Sequence, residues 1–360
     1  MHQVIPEQYS SLLAEKQSRI QAQFAQFHVG DIEVFTSEPT HFRQRAEFRI
    51  WHEGEECFHA MFEPGTKTDP IKITDFPITS LAICELMPKL IQAINSEAIL
   101  KHKLFQVEYL NTLSGEMLVT LIYHKQLDDA WIDAAKKIKQ ELGIHIIGRA
   151  RKMRLLLDQD FVIEELNVDG KSLKYQQIEA SFTQPNAKVN EKMLSWARSC
   201  ASEPNTDLLE LYCGNGNFSL ALADQYRSVF ATEISKTSIN AANFAKAENQ
   251  IENVTFARVS AEEFTEHMNG THLRKRLTGL GLEDANFETV LVDPPRAGLD
   301  EASCDMISRY PNIIYISCNP DTLEQNLKQL SKTHVVKRFA MFDQFPYTHH
   351  IECGAYLQAK

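Results

Sequence analysis

The sequence predicts an α/β protein in two parts: a C-terminal domain around a mostly parallel, helix-covered sheet, and an N-terminal α+β domain around an antiparallel sheet. Three observations carry this. From residue 181 onward, apolar strand-like runs alternate with segments long enough for helices, the pattern of a parallel sheet covered on both faces. Upstream, short runs alternate polar and apolar residues with period two. The 360 residues exceed one compact domain and suit two. The change of rhythm predicts domains 1–180 and 181–360.

The elements follow in order. Residues 7–27 read as a helix, with Leu12, Leu13, Ile20, Phe24 and Phe27 apolar among Glu, Gln and Lys. In HFRQRAEFRIW, Phe42, Gln44, Ala46, Phe48 and Ile50 share one face of a strand and Arg43, Arg45, Glu47 and Arg49 the other. Further strands are expected at 105–110, 117–123 and 145–150, and helices at 80–95 and 129–142. In the second half a helix over 189–200 leads to strands at 207–212, 228–232, 254–259, 288–292 and 312–317, with two last strands at 335–342 and 351–357. There is no internal repeat and no low-complexity segment.

Hydrophobic residues make up 43% and charged residues 24%, enough for each part to bury a core. No stretch approaches the roughly eighteen apolar residues of a membrane span, and MHQVIPEQYSSLLAEKQ does not read as a secretory signal. A cytoplasmic protein with no membrane partner is expected. The net charge of −11 does not advertise nucleic-acid binding, but the field that matters for RNA is local. The seven cysteines are scattered, without a C-x-x-C pair, so no metal and no iron–sulfur cluster is expected.

The run LLELYCGNGNFSLALA, residues 208–223, ends a strand at Tyr212, turns through Gly214 and Gly216, and can begin a helix near Asn217. Such glycines allow a sharp turn and the close approach of a ligand. The third glycine of a dinucleotide fingerprint is replaced by Ser219, and the lysine of a phosphate-binding loop is missing. Glu210 inside the strand suits a methyltransferase better than a dehydrogenase. Glu233, seventeen residues after Gly216, ends the next strand and is placed to accept the ribose hydroxyls of a nucleoside. Taken singly, the loop also reads as a plain turn and Glu233 as a solvated strand end.

Two more strand ends stand out. ETVLVDPPRAGL places Asp293, Pro294, Pro295 and Arg296 after an apolar strand, and IIYISCNP does the same with Cys318, Asn319 and Pro320. Proline cannot extend a ladder, so both serve as strand terminators; at the same sheet edge as the glycine loop they also wall a pocket. A cysteine there has one specific use. Uracil carbon 5 is a poor nucleophile, and a thiolate adding to carbon 6 converts it into an enolate that attacks an electrophilic methyl. A base must then remove the carbon 5 proton. By itself Cys318 also reads as a small buried hydrophobe. Cys213, in the glycine loop, is a second candidate thiol whose expected job is packing.

Over its whole length the chain resembles the tRNA (uracil-5-)-methyltransferase family, through FRQRAEFRIW, SFTQPN, LLELYCGNGNFSLALA, LVDPPRAGLD, ISCNPDTLEQNL and FDQFPYTHHIECG. The resemblance implies a Rossmann-like methyltransferase domain using S-adenosylmethionine, with Cys318 as nucleophile and Glu352 as base. It implies cofactor contacts from Gln184, Tyr212, Gly214, Asn217, Glu233 and Asp293, and the tRNA T arm as partner, with the T-loop uridine at position 54 as target. Relatives acting on ribosomal RNA commonly add a small N-terminal barrel and a four-cysteine iron–sulfur motif; here Cys57 and Cys84 are the only cysteines before residue 200. Cytosine-5 enzymes commonly carry Cys where Arg296 follows the prolines.

RNA contacts are expected from the N-terminal part. Arg43, Arg45 and Arg49 line one strand face, and Arg149, Arg151, Lys152 and Arg154 cluster; a solvated charged face is the plain alternative. Phe105, beside Lys101–Lys103, reads equally as a core residue or as a stacking surface for an unpaired base, and the resemblance implies the second. Two functions follow: the methyltransferase, and an RNA-binding module that opens and refolds the tRNA elbow. No obligate protein partner is evident.

Overall fold

The computed structural model describes residues 4–63, 65, 66, 68–200 and 203–360. The chain forms two compact units that are not contiguous in sequence: Glu38–Glu165 with Gln177–Ala187 make up one, and Glu7–Ser37, Leu166–Gln176 and Lys188–Lys360 the other. This departs from the single cut expected at residue 180. The N-terminal helix, Tyr9–Phe24, gives its buried Ile20 and Phe24 to the core of the C-terminal sheet, and the hairpin of Phe161–Val168 and Lys171–Ile178 is divided between the units.

The second unit carries an eight-stranded sheet. Its order is Glu33–Phe35, His334–Phe342, Glu352–Ala359, Asn312–Ser317, Phe287–Val292, Glu203–Leu211, Tyr226–Thr232 and Val254–Ala257. All neighbours pair in parallel except Glu352–Ala359, which is antiparallel to both of its partners. The six residues of Asn312–Ser317 are all buried, as a strand covered on both faces must be. Because the parallel strands run the same way, the Tyr212–Asn217 loop, Glu233, Asp293 and Cys318 all leave the sheet at its carboxyl edge. Glu352 begins the antiparallel strand at that edge.

Local chemistry fixes the helices on these strands. Asn319 accepts from Asp321 N at 3.1 Å and caps Pro320–Leu330, whose first residue is a proline already suited to a helix start. Ser260 and Glu263 form a reciprocal capping box at Ala261–Met268. Gly354 lies where helix Ala187–Cys200 meets the sheet: a β-carbon there would stand 2.6 Å from the Trp196 ring and 3.1 Å from Phe342. Gly354→Ala is therefore expected to destabilise this unit by about 1–3 kcal/mol through overpacking, read as a lower denaturation midpoint with an unchanged slope.

The first unit holds a seven-stranded sheet of order Ile71–Lys72, Glu56–Met61, Arg45–Glu53, Leu104–Asn111, Met117–Tyr123, His145–Ala150 and Met153–Leu156, antiparallel apart from the Met117–Tyr123 and His145–Ala150 pair. Phe42, Gln44, Ala46, Phe48 and Ile50 are buried while Glu47 and Arg49 are exposed, as the alternation predicts. Helices Leu81–Ser96 and Asp129–Leu142 bury Ile83, Met87, Leu90 and Trp131 in this unit's core. The second is capped by Asp128, which accepts from Trp131 N at 2.9 Å, and ends on Gly143 at φ 64°.

Candidate active site

The glycine loop is held from several sides. Gly214 and Gly216 have φ of 55° and 82°, and a β-carbon on Gly216 would press the Phe256 ring at 3.0 Å. Tyr212, which is not a glycine, also sits at φ 64°, a conformation that costs energy and must be held by its surroundings. Glu233 ties the loop to its own strand end, one carboxylate oxygen accepting from Gly214 N at 3.1 Å and the other from Ser235 N at 2.7 Å. A carboxylate has about four lone-pair sites, so two more donors can still be accepted there. Asn217 opens the next helix. Its side chain exchanges two 2.9 Å hydrogen bonds with the amide of Asn190, and its carbonyl accepts from the Tyr175 hydroxyl at 3.0 Å.

Acids dominate this edge. Glu210 is fully buried and accepts from the Ser219 hydroxyl with one oxygen, while its other oxygen has no partner among the described residues. Burial pushes its carboxyl up to about 8. Burial likewise raises Asp293 to about 7 and holds Glu352 well above the ordinary range, with Asp293 adding repulsion and Arg296 opposing it. A site whose carboxyls resist ionisation for want of counter-charge is matched to a cationic ligand.

The pairing Ser317↔Cys353 brings Cys318 and Glu352 opposite each other where the ladder ends. Burial, then Glu352 and Asp293, push the Cys318 thiol up to about 11, and Arg296 draws it down. The expected outcome is a slow thiol: with ligand-free protein, alkylation of Cys318 should accelerate about tenfold per pH unit from 7 to 10. Mass spectrometry of the iodoacetamide-treated protein checks this, and a rate flat with pH would show a thiolate already formed. The alternative thiols are less suited. Cys213 and Cys353 are buried, and both thiols are held above the ordinary range by burial and neighbouring glutamates, whereas Cys318 is half-buried.

Asn319 and Arg296, marked in the sequence by their place after the strands, and Asn326, which carries no sequence signal, link the two proline loops. Asn319 donates to Arg296 O at 2.9 Å. Asn326, buried, accepts from Leu299 N at 3.0 Å and from the Tyr315 hydroxyl at 2.7 Å, and donates to Leu299 O at 2.9 Å. Among the described residues Arg296 is the cation acting on both Cys318 and Glu352. Its place after the prolines was visible, but its effect depends on strands sixty residues apart.

Gln184 belongs to the other unit, where its buried side-chain oxygen has no partner among the described residues. The expected RNA face in that unit is partly committed. Arg45 donates to Ser181 O at 2.7 Å and to Glu179 O, and Arg43 donates to Arg45 O at 2.7 Å. Arg149 and Arg154 both reach the Glu179 carboxylate, at 2.7 and 3.2 Å. Arg49 is exposed, its guanidinium 3.6 Å from the centroid of the Phe105 ring, against which His124 is stacked at 4.1 Å. Among the described residues no group of three or more His, Cys, Asp or Glu is arranged to hold a metal ion, and no helix is long and apolar enough to cross a membrane.

A sheet of this order, with its inserted antiparallel strand and acid-lined carboxyl edge, defines a methyltransferase of the doubly wound α/β class. The family model for tRNA (Uracil-5-)-methyltransferase matches residues 8–360. A tRNA/tmRNA (uracil-C(5))-methyltransferase of Psychromonas ingrahamii is 54% identical over 358 residues, covering 98% of each chain, and one of Pseudoalteromonas translucida is 53% identical over 357 residues, covering 98% of this chain and 97% of its own. The chain belongs to the tRNA (uracil-5-)-methyltransferase family. The fold is that of the Pyrococcus abyssi tRNA (uracil-54, C5)-methyltransferase solved with S-adenosyl-L-homocysteine, at a TM-score of 0.73 and 21% identity, over 97% of this chain and 83% of that one.

Proposed function

We propose that this protein transfers a methyl group from S-adenosylmethionine to carbon 5 of the T-loop uridine, position 54, of tRNA or of a tRNA-like domain in another RNA, acting in the cytoplasm. The observation that carries the reading is the placement of Cys318 and Glu352 opposite each other at the carboxyl edge that holds the glycine loop. The donor set fits the cofactor. Glu233 is already fixed and can accept the ribose hydroxyls; Tyr212, Gly214 and Asn217 form the strained loop beneath; Gln184 and Asp293 complete the expected contacts. Glu210, with its unpartnered oxygen, and Asp293 are carboxyls raised by burial that a neighbouring sulfonium and ammonium would draw towards ionisation. When bound, the cofactor supplies an electrophilic methyl.

The protein residues do the rest. Cys318, as thiolate, bonds to carbon 6, and the displaced electron pair passes to carbon 5 and oxygen 4 as an enolate. Carbon 5 takes the methyl. Glu352 then accepts the carbon 5 proton, the double bond re-forms and the thiolate leaves. Arg296 favours ionisation of both groups. Incubating unmodified tRNA with the protein and methyl-labelled cofactor, followed by nucleoside mass spectrometry and mapping, should give 5-methyluridine at the T loop; label in any other nucleoside would overturn the reading.

The target base must leave the tRNA elbow, and the Arg49–Phe105–His124 stack supports a platform for an unpaired base. Phe105→Ala is expected to weaken tRNA binding by about 1–3 kcal/mol with cofactor affinity unchanged, measured by filter binding and calorimetry. Arg49→Ala should flatten the salt dependence. Arg43 and Arg45 reach phosphates only by giving up their carbonyl partners, so their substitution is expected to act through the Glu179–Ser181 segment as well.

A further inference from the structure

Helix Tyr9–Phe24 carries a lysine in its apolar stripe. Tyr9, Ile20 and Phe24 are buried, and Lys16 is buried with them. Its ammonium lies 2.6 Å from the carboxylate of buried Asp343 and donates to Phe345 O at 2.9 Å and His350 O at 3.3 Å. Three acceptors match its three donors. One turn further along the helix, exposed Arg19 donates to His349 O at 2.7 Å.

Every one of these acceptors lies in the turn between strands His334–Phe342 and Glu352–Ala359. Phe342 pairs with Glu352, so Asp343 and His350 flank the two ends of the turn where it joins the sheet. The Lys16 ammonium therefore ties the mouth of the turn shut. Within it, Tyr347 sits at φ 62°, a conformation that needs outside support. No hydrogen bond from a described residue holds the Glu352 carboxyl, so its position is set by its backbone, and that backbone by the turn.

We propose that Lys16, assisted by Arg19, is a positioning residue that fixes Glu352 for removal of the carbon 5 proton by clamping the Asp343–His350 turn. This rests on the reading of Glu352 as the base. The helix thereby serves the last chemical step while touching no substrate. A loosened turn leaves cofactor binding and adduct formation in place, because the glycine loop and Cys318 are held by other bonds, but misplaces the base, and misplacement of about an ångström is enough to slow a step by orders of magnitude.

The test compares K16M, R19Q and E352Q with the parent on unmodified tRNA, following denaturant-resistant protein–RNA adduct, its methylation, turnover, KM for tRNA and thermal melting. K16M and R19Q are expected to clear adduct at least about tenfold more slowly, so that methylated adduct accumulates while KM stays unchanged. Should K16M fail to fold, R19Q, which removes an exposed donor, decides. If E352Q stalls but the clamp variants clear adduct at the parent rate, or lose every step together with their melting temperature, the clamp is overturned and the base assignment stands. If E352Q itself turns over without accumulating adduct, the base lies elsewhere and the clamp falls with it.

Discussion

Cys318→Ala protein is expected to bind tRNA and cofactor normally and yet lose methyl transfer by about 10⁴-fold or more, the scale seen when a catalytic nucleophile is removed. The expectation follows from uracil itself: without a bond at carbon 6, carbon 5 stays electron-poor, and Cys318 is the half-buried thiol at this edge among the described residues. The readouts are tritium release from carbon 5 and the protein–RNA band after denaturation, both of which should vanish. Trapping by 5-fluorouridine RNA should vanish with them. Persistence of the band would move the nucleophile to another thiol, with Cys353 and Cys213 next to test. Their burial argues against this, since a thiol held high by a surrounding core has little thiolate to offer.

Glu352→Gln should fail in the opposite sense. Burial and the neighbouring Asp293 raise the parent carboxyl well above the ordinary range, with Arg296 opposing them, so an uncharged amide of the same shape is expected to change stability little. In the proposed mechanism addition of Cys318 and methyl transfer come before the proton is removed, and both should proceed. The reaction then stops with RNA covalently attached through carbon 6 and already methylated. Turnover is expected to fall by about 10²–10⁴-fold, the contribution typical of a general base. The measurement is a single-turnover time course resolving adduct from free product; an amide variant that releases product at the parent rate would remove Glu352 from the mechanism.

Those two residues were not equally legible in the sequence. Cys318 follows a fully buried strand whose centre is apolar, Ile313 to Ile316, and precedes an Asn-Pro helix start, so its place at a strand's carboxyl end could be read directly. Glu352 carries no such mark, because its importance comes from an antiparallel strand slotted between two parallel ones; only the family resemblance pointed to it. Strands Met117–Tyr123, His145–Ala150 and Asn312–Ser317 and helix Asp129–Leu142 have the bounds their patterns predict. Strand Glu33–Phe35 escaped notice: three residues show no period, and its partner lies some three hundred positions away. The hairpin ending at Lys171–Ile178 did carry a signal, since Asp169 and Gly170 both take positive φ as an Asp-Gly turn requires. The single cut at residue 180 assumed that neighbours in sequence fold together, and the N-terminal helix does not. Lys16, four residues from Ile20 in an apolar stripe, was the visible clue that this helix docks against something charged.

That docking has a consequence for how the chain is made. Lys16 and Asp343 are separated by 327 positions. At synthesis rates of roughly 5–20 residues per second, the helix leaves the ribosome tens of seconds before the acid that neutralises its lysine has been translated. Throughout that interval Ile20 and Phe24 have no core to enter, while the Glu38–Glu165 segment already contains its whole sheet and can fold at once. The nascent protein therefore spends most of its synthesis with a folded middle and an unsatisfied amphipathic leader. Ribosomes arrested anywhere upstream of residue 343 should leave that segment sensitive to protease.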